Sequence, residues 1–235
     1  MRARPPGVAF SSRSEPKKIP HAMNRIIPLL IPIVALAANT PNVRSGNSTS
    51  NPAAQSWAAS VDAENNQKYS DALADMRAYQ QAGGDTFLAL ERAGWLSYRA
   101  KDYAKAEQYY GEASRSIPTA MNPLLGLLNT AQAENDAHKI ERAAQSLLHN
   151  EPSNYRAQMA LAQTHLASRE YQRSASEYRR VLLYYPDDLD ATSGLAWSVF
   201  YLGNKRDALA LFHRILTVSP DYTYAQRGAD LASVQ

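Results

Sequence analysis

Apolar residues recur three and four positions apart through most of the chain, in runs separated by short polar segments. In one such run they are Leu90, Ala93, Gly94 and Leu96, and in the next Tyr103, Ala106, Tyr110 and Ala113. The same rhythm returns at Tyr171, Ser174, Tyr178 and Val181, and at Lys205, Ala208, Phe212 and Ile215. Steps of three and four put side chains on one face of a helix, whereas a strand would alternate. The pattern predicts helices over residues 87–99, 103–117, 121–134, 137–150, 155–168, 171–184, 189–202 and 205–218. A further helix is expected over 222–233. The fold class is all-α.

Prolines punctuate these helices at one interval. Pro118, Pro152, Pro186 and Pro220 are each 34 residues apart. Proline lacks the amide donor and clashes with the preceding turn, so it ends helices. A helix breaker at constant spacing marks a repeated unit, and a period in this range indicates a solenoid. The units are 53–86, 87–120, 121–154, 155–188 and 189–222, with Gly84 in the proline's place in the first. Thr119, Ser153-Asn154, Asp187-Asp188 and Asp221 follow the breaks and suit the caps of the next helices. About five helical hairpins are expected, with residues 223–235 as a capping helix over the last apolar face.

Within this frame the chain resembles the tetratricopeptide repeat. The eighth place holds Gly94, Leu128, Ala162 and Ala196. Twelve places on stand Ala106, Ser174 and Ala208, with Ile140 deviating. Four further come Tyr110, Tyr178 and Phe212, with Ala144 deviating, and then the proline. The resemblance covers residues 53–222, is closest over 102–110 and weakest in unit 121–154. It implies a right-handed superhelix whose first helices line a concave groove. The groove places then fall on Trp57, Glu91, Trp95, Tyr98, Arg99 and Asn129, and further along on Gln132, Met159, Gln163, Trp197 and Tyr201. All three tryptophans of the chain are among them. Trp and Tyr anchor interfaces because they bury a large area and keep a polar handle, though the same tryptophans could pack between first helices as core. The clamp that some relatives use for a peptide's terminal carboxylate needs paired Lys and Asn. The corresponding pairs here are Glu91 and Trp95, Leu125 and Asn129, or Trp57 and Val61, and Gly126, Ala160 and Gly194 follow. Arg92 and Arg156 read as isolated cations, so that clamp is not expected.

Charge changes the picture mainly at the N-terminus. The chain carries 25 Lys and Arg against 22 Asp and Glu, a net +3. Residues 1–38 contribute six of the cations and one acid; the remainder holds 19 basic and 21 acidic residues, a net −2. No basic stripe is evident in the repeats, and nucleic acid is not an expected partner. Met23-Asn24-Arg25, the apolar run 26–37 and Ala35-Leu36-Ala37 have the layout of a secretory signal peptide, with translation starting at Met23. The apolar run is shorter than the ~20 residues of a membrane span, so membrane contact is expected only through an uncleaved leader, if at all. Residues 39–52 are polar and read as a flexible linker.

Candidate chemistry is sparse. There is no cysteine, which removes disulfides and thiolate metal sites. The five histidines lack helical zinc spacing, and His165 reads as a packed core residue. Asp187, Asp188 and Asp190 lack the central glycine and closing glutamate of a calcium loop, and capping accounts for them. No enzyme activity and no cofactor are expected. The expectation is an exported bacterial protein, periplasmic or secreted, that binds a protein or peptide segment in its groove as a scaffold or adaptor. The alternative is an accessory subunit of an envelope complex, for polysaccharide export, outer-membrane or pilus biogenesis, using the convex face or repeat edges.

Overall fold

The computed structural model describes residues 51–233. The leader, the proposed start at Met23 and nearly all of the linker lie outside the described residues. The described residues form eleven α-helices and no strand: α1 (Pro52–Asn65), α2 (Tyr69–Gln81), α3 (Thr86–Arg99), α4 (Tyr103–Ser116), α5 (Met121–Glu134), α6 (Ala137–Asn150), α7 (Tyr155–Ala167), α8 (Tyr171–Tyr184), α9 (Leu189–Tyr201), α10 (Lys205–Val218) and α11 (Thr223–Ser233). Every boundary expected from the sequence is met within one residue. Each helix packs mainly on its chain neighbours, giving five antiparallel hairpins and a sixth first helix, α11. First helices also touch one another, α3 with α5, α7 with α9 and α9 with α11, and no pair of second helices does so to a like extent. The row of first helices is therefore the inner, more tightly spaced side.

Two kinds of helix end alternate along the chain. Ile117, Glu151, Tyr185 and Ser219, each just before a ladder proline, end the second helices with φ between −140 and −131° and ψ of 69 to 91°. Proline excludes its predecessor from the helical region, which explains the break. First helices end differently. Gln67, Lys101, Asn135, Arg169 and Gly203 all have positive φ, from 55 to 89°. These too are 34 residues apart. At Lys101, its amide reaches Tyr98 O at 3.0 Å and the next amide, Asp102 N, reaches Ser97 O at 2.9 Å, so the last carbonyls are satisfied. The first unit shows why Gly84 can stand without proline. There α2 borrows the first-helix ending: Gly83 has φ +83°, and Gly84 N donates to Tyr79 O at 2.9 Å.

The expected caps are met in part. Asn154 and Asp188 accept from Ala157 N at 3.0 Å and Ala191 N at 2.6 Å. Thr119 does not cap α5; the cap position falls on Ala120, which offers no side-chain acceptor.

Junctions between hairpins are built from matched sizes. The Tyr178 ring lies where a Cβ on Gly194 of the next unit would stand, 2.0 Å from Cζ. Phe212 fills the same space over Gly228, and Tyr110 over Gly126. The deviant unit breaks both rules together. Ala144 replaces the aromatic, Ala160 replaces the glycine, and both are buried. At these junctions glycine is thus needed only where the preceding second helix projects a ring. At the C-terminal end α11 seats Ala225, Gly228, Ala229 and Ala232 inward and turns Gln226, Arg227 and Asp230 to solvent. Tyr224 and Leu231 are exposed there too, but the outer face is mostly polar, as the last helix of a stack requires.

Candidate functional site

The inner face carries three zones. At its N-terminal end the hub is Glu64, the twelfth residue of the first unit. Trp95 Nε1 donates to Glu64 Oε1 at 2.7 Å. Arg92 Nη2 lies 3.0 Å from Oε2, and Arg99 Nη1 3.7 Å from Oε1. Arg92 also donates from Nε to Ser60 Oγ at 3.1 Å and sits over the Trp57 ring at 5.2 Å. Arg99 lies 5.3 Å from the Trp95 ring and donates to Tyr69 OH at 3.2 Å. Trp95 stacks with Tyr98 at 6.2 Å, and Trp57 meets Tyr79 edge-on at 5.3 Å. One carboxylate with two guanidiniums over indole rings joins the first two hairpins and fixes the aromatic surface between them.

The structure corrects several sequence expectations at this end. Arg92 is not isolated, because Glu64 from the neighbouring first helix reaches it. Glu91 is half-buried and takes no part in the network; its nearest influence is the field that adds to desolvation in holding the Tyr110 hydroxyl protonated well above its usual range. The Trp95 indole N–H is committed to Glu64, so a partner meets the ring and not the donor. Glu64 stands outside the groove residues expected from the sequence, although it occupies the twelfth place of its unit.

The middle zone is polar. Arg156 donates to Asn129 Oδ1, so neither is isolated. Gln132 and Gln163 are exposed and line one open cleft of about 440 Å³ together with Asn135, Thr164 and Ser168. Ile140 and Ala160 supply its apolar lining. Met159 faces the core instead, at 8% exposure, packed among the residues that hold Tyr178 and Leu195. It offers a partner little surface, because the fourth and fifth hairpins close over it. His165 is likewise buried, with Nδ1 3.2 Å from Glu170 Oε2 and Nε2 3.8 Å from Glu141 Oε1.

The C-terminal zone is aromatic again. Trp197 is half-buried on Phe212 at 5.2 Å and stacks on Tyr201 at 5.8 Å. Tyr201 in turn stacks on Tyr171 at 4.8 Å and remains 51% exposed. Trp197 therefore serves as both core and surface, whereas Tyr201 is chiefly surface. The aspartates at the last turns are engaged within the fold. Besides its capping bond, Asp188 accepts from Tyr155 OH at 2.9 Å, and Asp190 accepts from Tyr222 OH at 2.6 Å. Among the described residues no three His, Asp or Glu side chains are placed to hold a metal ion.

A family model for the tetratricopeptide repeat matches residues 58–120 and 128–188, more than half of the chain. The chain belongs to the tetratricopeptide repeat family. Solved structures of the same fold include a tetratricopeptide repeat protein from Parabacteroides merdae (TM-score 0.66, 14% identity, covering 77% of this chain and 72% of that one). MamA from Desulfovibrio magneticus aligns with TM-score 0.61 at 10% identity, covering 73% of this chain and 97% of that one. YrrB, described as having an unusual peptide-binding site, aligns with TM-score 0.60 at 15% identity, over 73% and 88%. At these identities the likeness is one of fold. No curated protein sequence matches the chain. Tetratricopeptide arrays act as protein–protein interaction scaffolds, and this chain shares that architecture.

One feature was missed by counting charge over whole segments. The outer faces of α8 and α10 are basic. Arg173, Arg179 and Arg180 stand against Glu177 on α8, and Lys205, Arg206 and Arg214 against Asp207 on α10, a net +2 on each helix. The acidic turns nearby cancel this in any sum along the chain. Comparing equivalent places in successive units would have revealed it.

Proposed function

We propose that this protein is an exported scaffold that holds an extended peptide or protein segment along its inner face. The observation that carries the reading is the zoning of that face. Stacked Trp95 and Tyr98 stand at one end, amide side chains Gln132 and Gln163 share a cleft in the middle, and stacked Trp197 and Tyr201 close the other end. Aromatic surfaces take up apolar side chains, and side-chain amides both donate to and accept from a peptide backbone. The signal-like leader at residues 23–38 supports export to a bacterial periplasm or the medium.

The test begins with affinity capture of the exported form from its own envelope fraction, followed by binding assays on the partner obtained. Replacing Trp95 by alanine removes both a ring and the donor to Glu64, so it weakens the fold as well. Tyr201→Ala is cleaner. It should weaken partner binding by about 1–2 kcal/mol with helicity unchanged. Undiminished affinity in Tyr201→Ala and Gln163→Ala alike would remove the inner face as the binding surface. A second reading, an accessory subunit of an envelope complex that docks through the convex side, is favoured by the apolar residues exposed on α8 and α10.

A further inference from the structure

The second helices present equivalent places to solvent, so their outer faces can be compared position by position. At the twenty-sixth place α4 and α6 carry Glu112 and Ser146, whereas α8 and α10 carry Arg180 and Arg214. At the thirtieth, α4 and α6 carry Ser116 and Asn150, and α8 and α10 carry Tyr184 and Val218. The net charge of the second helices rises from −1 on α2 through 0 on α4 and +1 on α6 to +2 on α8 and α10. At these two places the change is confined to α8 and α10, and the charge is graded along the stack with its highest values there.

The apolar residues on this ridge protrude. Leu183 is 79% exposed, Val218 69% and Tyr184 53%, among the most exposed large apolar side chains described. Neither core packing nor an internal hydrogen bond requires them. The ridge acids Glu177 and Asp207 are occupied, Glu177 by Arg180 at 3.0 Å and Asp207 by Asn204 at 2.6 Å. Arg179 and Arg206 have no partner within the described residues. An outward-facing ridge of adjacent helices cannot enfold a peptide, but it can meet a flat surface along its length.

We propose that the α8–α10 ridge is a peripheral docking surface for an anionic phospholipid bilayer. Its arginines would lie at the headgroup phosphates, and Leu183, Tyr184 and Val218 would enter the headgroup–acyl boundary. Basic residues near an anionic leaflet attract it, and aliphatic and aromatic side chains add burial at the interface. No described helix is long and apolar enough to cross a membrane, so the contact is superficial. It leaves the inner face turned away from the lipid and accessible. It stands whether or not that face binds peptide.

The absence of cysteine allows a site-specific test on the full chain. Leu183→Cys, and separately Ser116→Cys on α4, one place beyond the equivalent of 183, are each labelled with an environment-sensitive fluorophore. Each is mixed with vesicles of equal parts phosphatidylcholine and phosphatidylglycerol, and with phosphatidylcholine alone. The expected result is a blue shift at 183 on the anionic vesicles only, with none at 116. Arg179→Ala with Arg180→Ala should weaken partitioning about thirtyfold, and raised salt should do likewise. A leader that binds lipid by itself carries both labelled proteins to the vesicles but buries neither probe, so the comparison still decides. Equal responses at the two probes, or a shift at 183 that survives loss of the arginines, overturn the proposal. Salt-dependent binding of poly-glutamate through the ridge, with vesicles ignored, assigns it to an acidic protein and overturns the lipid reading.

Discussion

Gly194→Ala adds one methyl group where the Tyr178 ring already stands, 2.0 Å from Cζ and 2.4 Å from both Cε atoms. Tyr178 is 3% exposed and enclosed by the junction of α8 and α9, so its ring has little room to withdraw. Overpacking of this kind costs ~1–3 kcal/mol. Glycine to alanine within a helix returns ~1 kcal/mol, so a net loss of up to about 2 kcal/mol is expected. Tyr178→Ala alone leaves a cavity and should cost ~3–5 kcal/mol. In that background Gly194→Ala no longer meets a ring, and the pair reproduces the native Ala144–Ala160 junction. There it should stabilise by up to ~1 kcal/mol. The coupling between the two sites is then about 1–3 kcal/mol, the overpacking cost itself. Guanidinium unfolding followed by far-UV circular dichroism on the wild type and three variants measures it. An array can unfold by parts, so unchanged m-values are required before free energies are compared. Equal destabilisation by Gly194→Ala in both backgrounds would refute the matched-size account of the junctions.

Other consequences can be checked on the same protein. Lys101→Gly and Arg169→Gly place glycine at left-handed positions and should raise the unfolding midpoint, each by about 0.5–1 kcal/mol in stability, whereas Gly203→Ala should lower it by a similar amount. Ala120→Asp supplies the acceptor that α5 lacks and should stabilise by ~1 kcal/mol; an unchanged midpoint would show that the cap geometry at Ala120 does not accept it. Burial, aided by Asp190, pushes the Tyr178 hydroxyl up to about 12, and Tyr110 is raised chiefly by burial. A raised tyrosine keeps its proton in the folded state when the unfolded chain has lost it. Stability is therefore full below about pH 10 and falls as pH climbs towards about 12. Tyr178→Phe should flatten that decline in a pH series of midpoints, and an unaltered slope would count against it.

Helix positions were legible because their ends are written in residues with strong local preferences. Pro118, Pro152, Pro186 and Pro220 force the second helices to stop, and Asp188 and Asn154 start the next. The first-helix endings were not legible, since Gln67, Lys101, Asn135 and Arg169 occupy a conformation that glycine alone would have announced. The local backbone bonds that close each first helix, such as Lys101 N to Tyr98 O and Asp102 N to Ser97 O, hold them in it. The inner face was readable as a set of places, because Trp95, Tyr98, Trp197 and Tyr201 recur in the frame. Its connections were not. Glu64 meets Arg92 and Trp95 only when two first helices lie side by side, and that distance is a property of the stack. Met159 was misjudged for the same reason, since its place opens inward or outward according to how closely neighbouring hairpins approach.

The junctions also govern how the array could change length. Each of the last three hairpins ends in either a ring or a methyl group and begins with either a glycine or an alanine, so its two ends need not be of the same kind. Excising residues 189–222 would bring Tyr178 against Gly228, a ring onto a glycine, and the cut ends would fit. Excising 121–154 alone would drive Tyr110 into Ala160, and excising 155–188 alone would leave Ala144 facing Gly194 across a void. Removing 121–188 together would restore a fit, Tyr110 on Gly194. The hairpins are therefore not interchangeable beads: the last is a cassette that can be taken out by itself, and the two before it can be removed only as a pair.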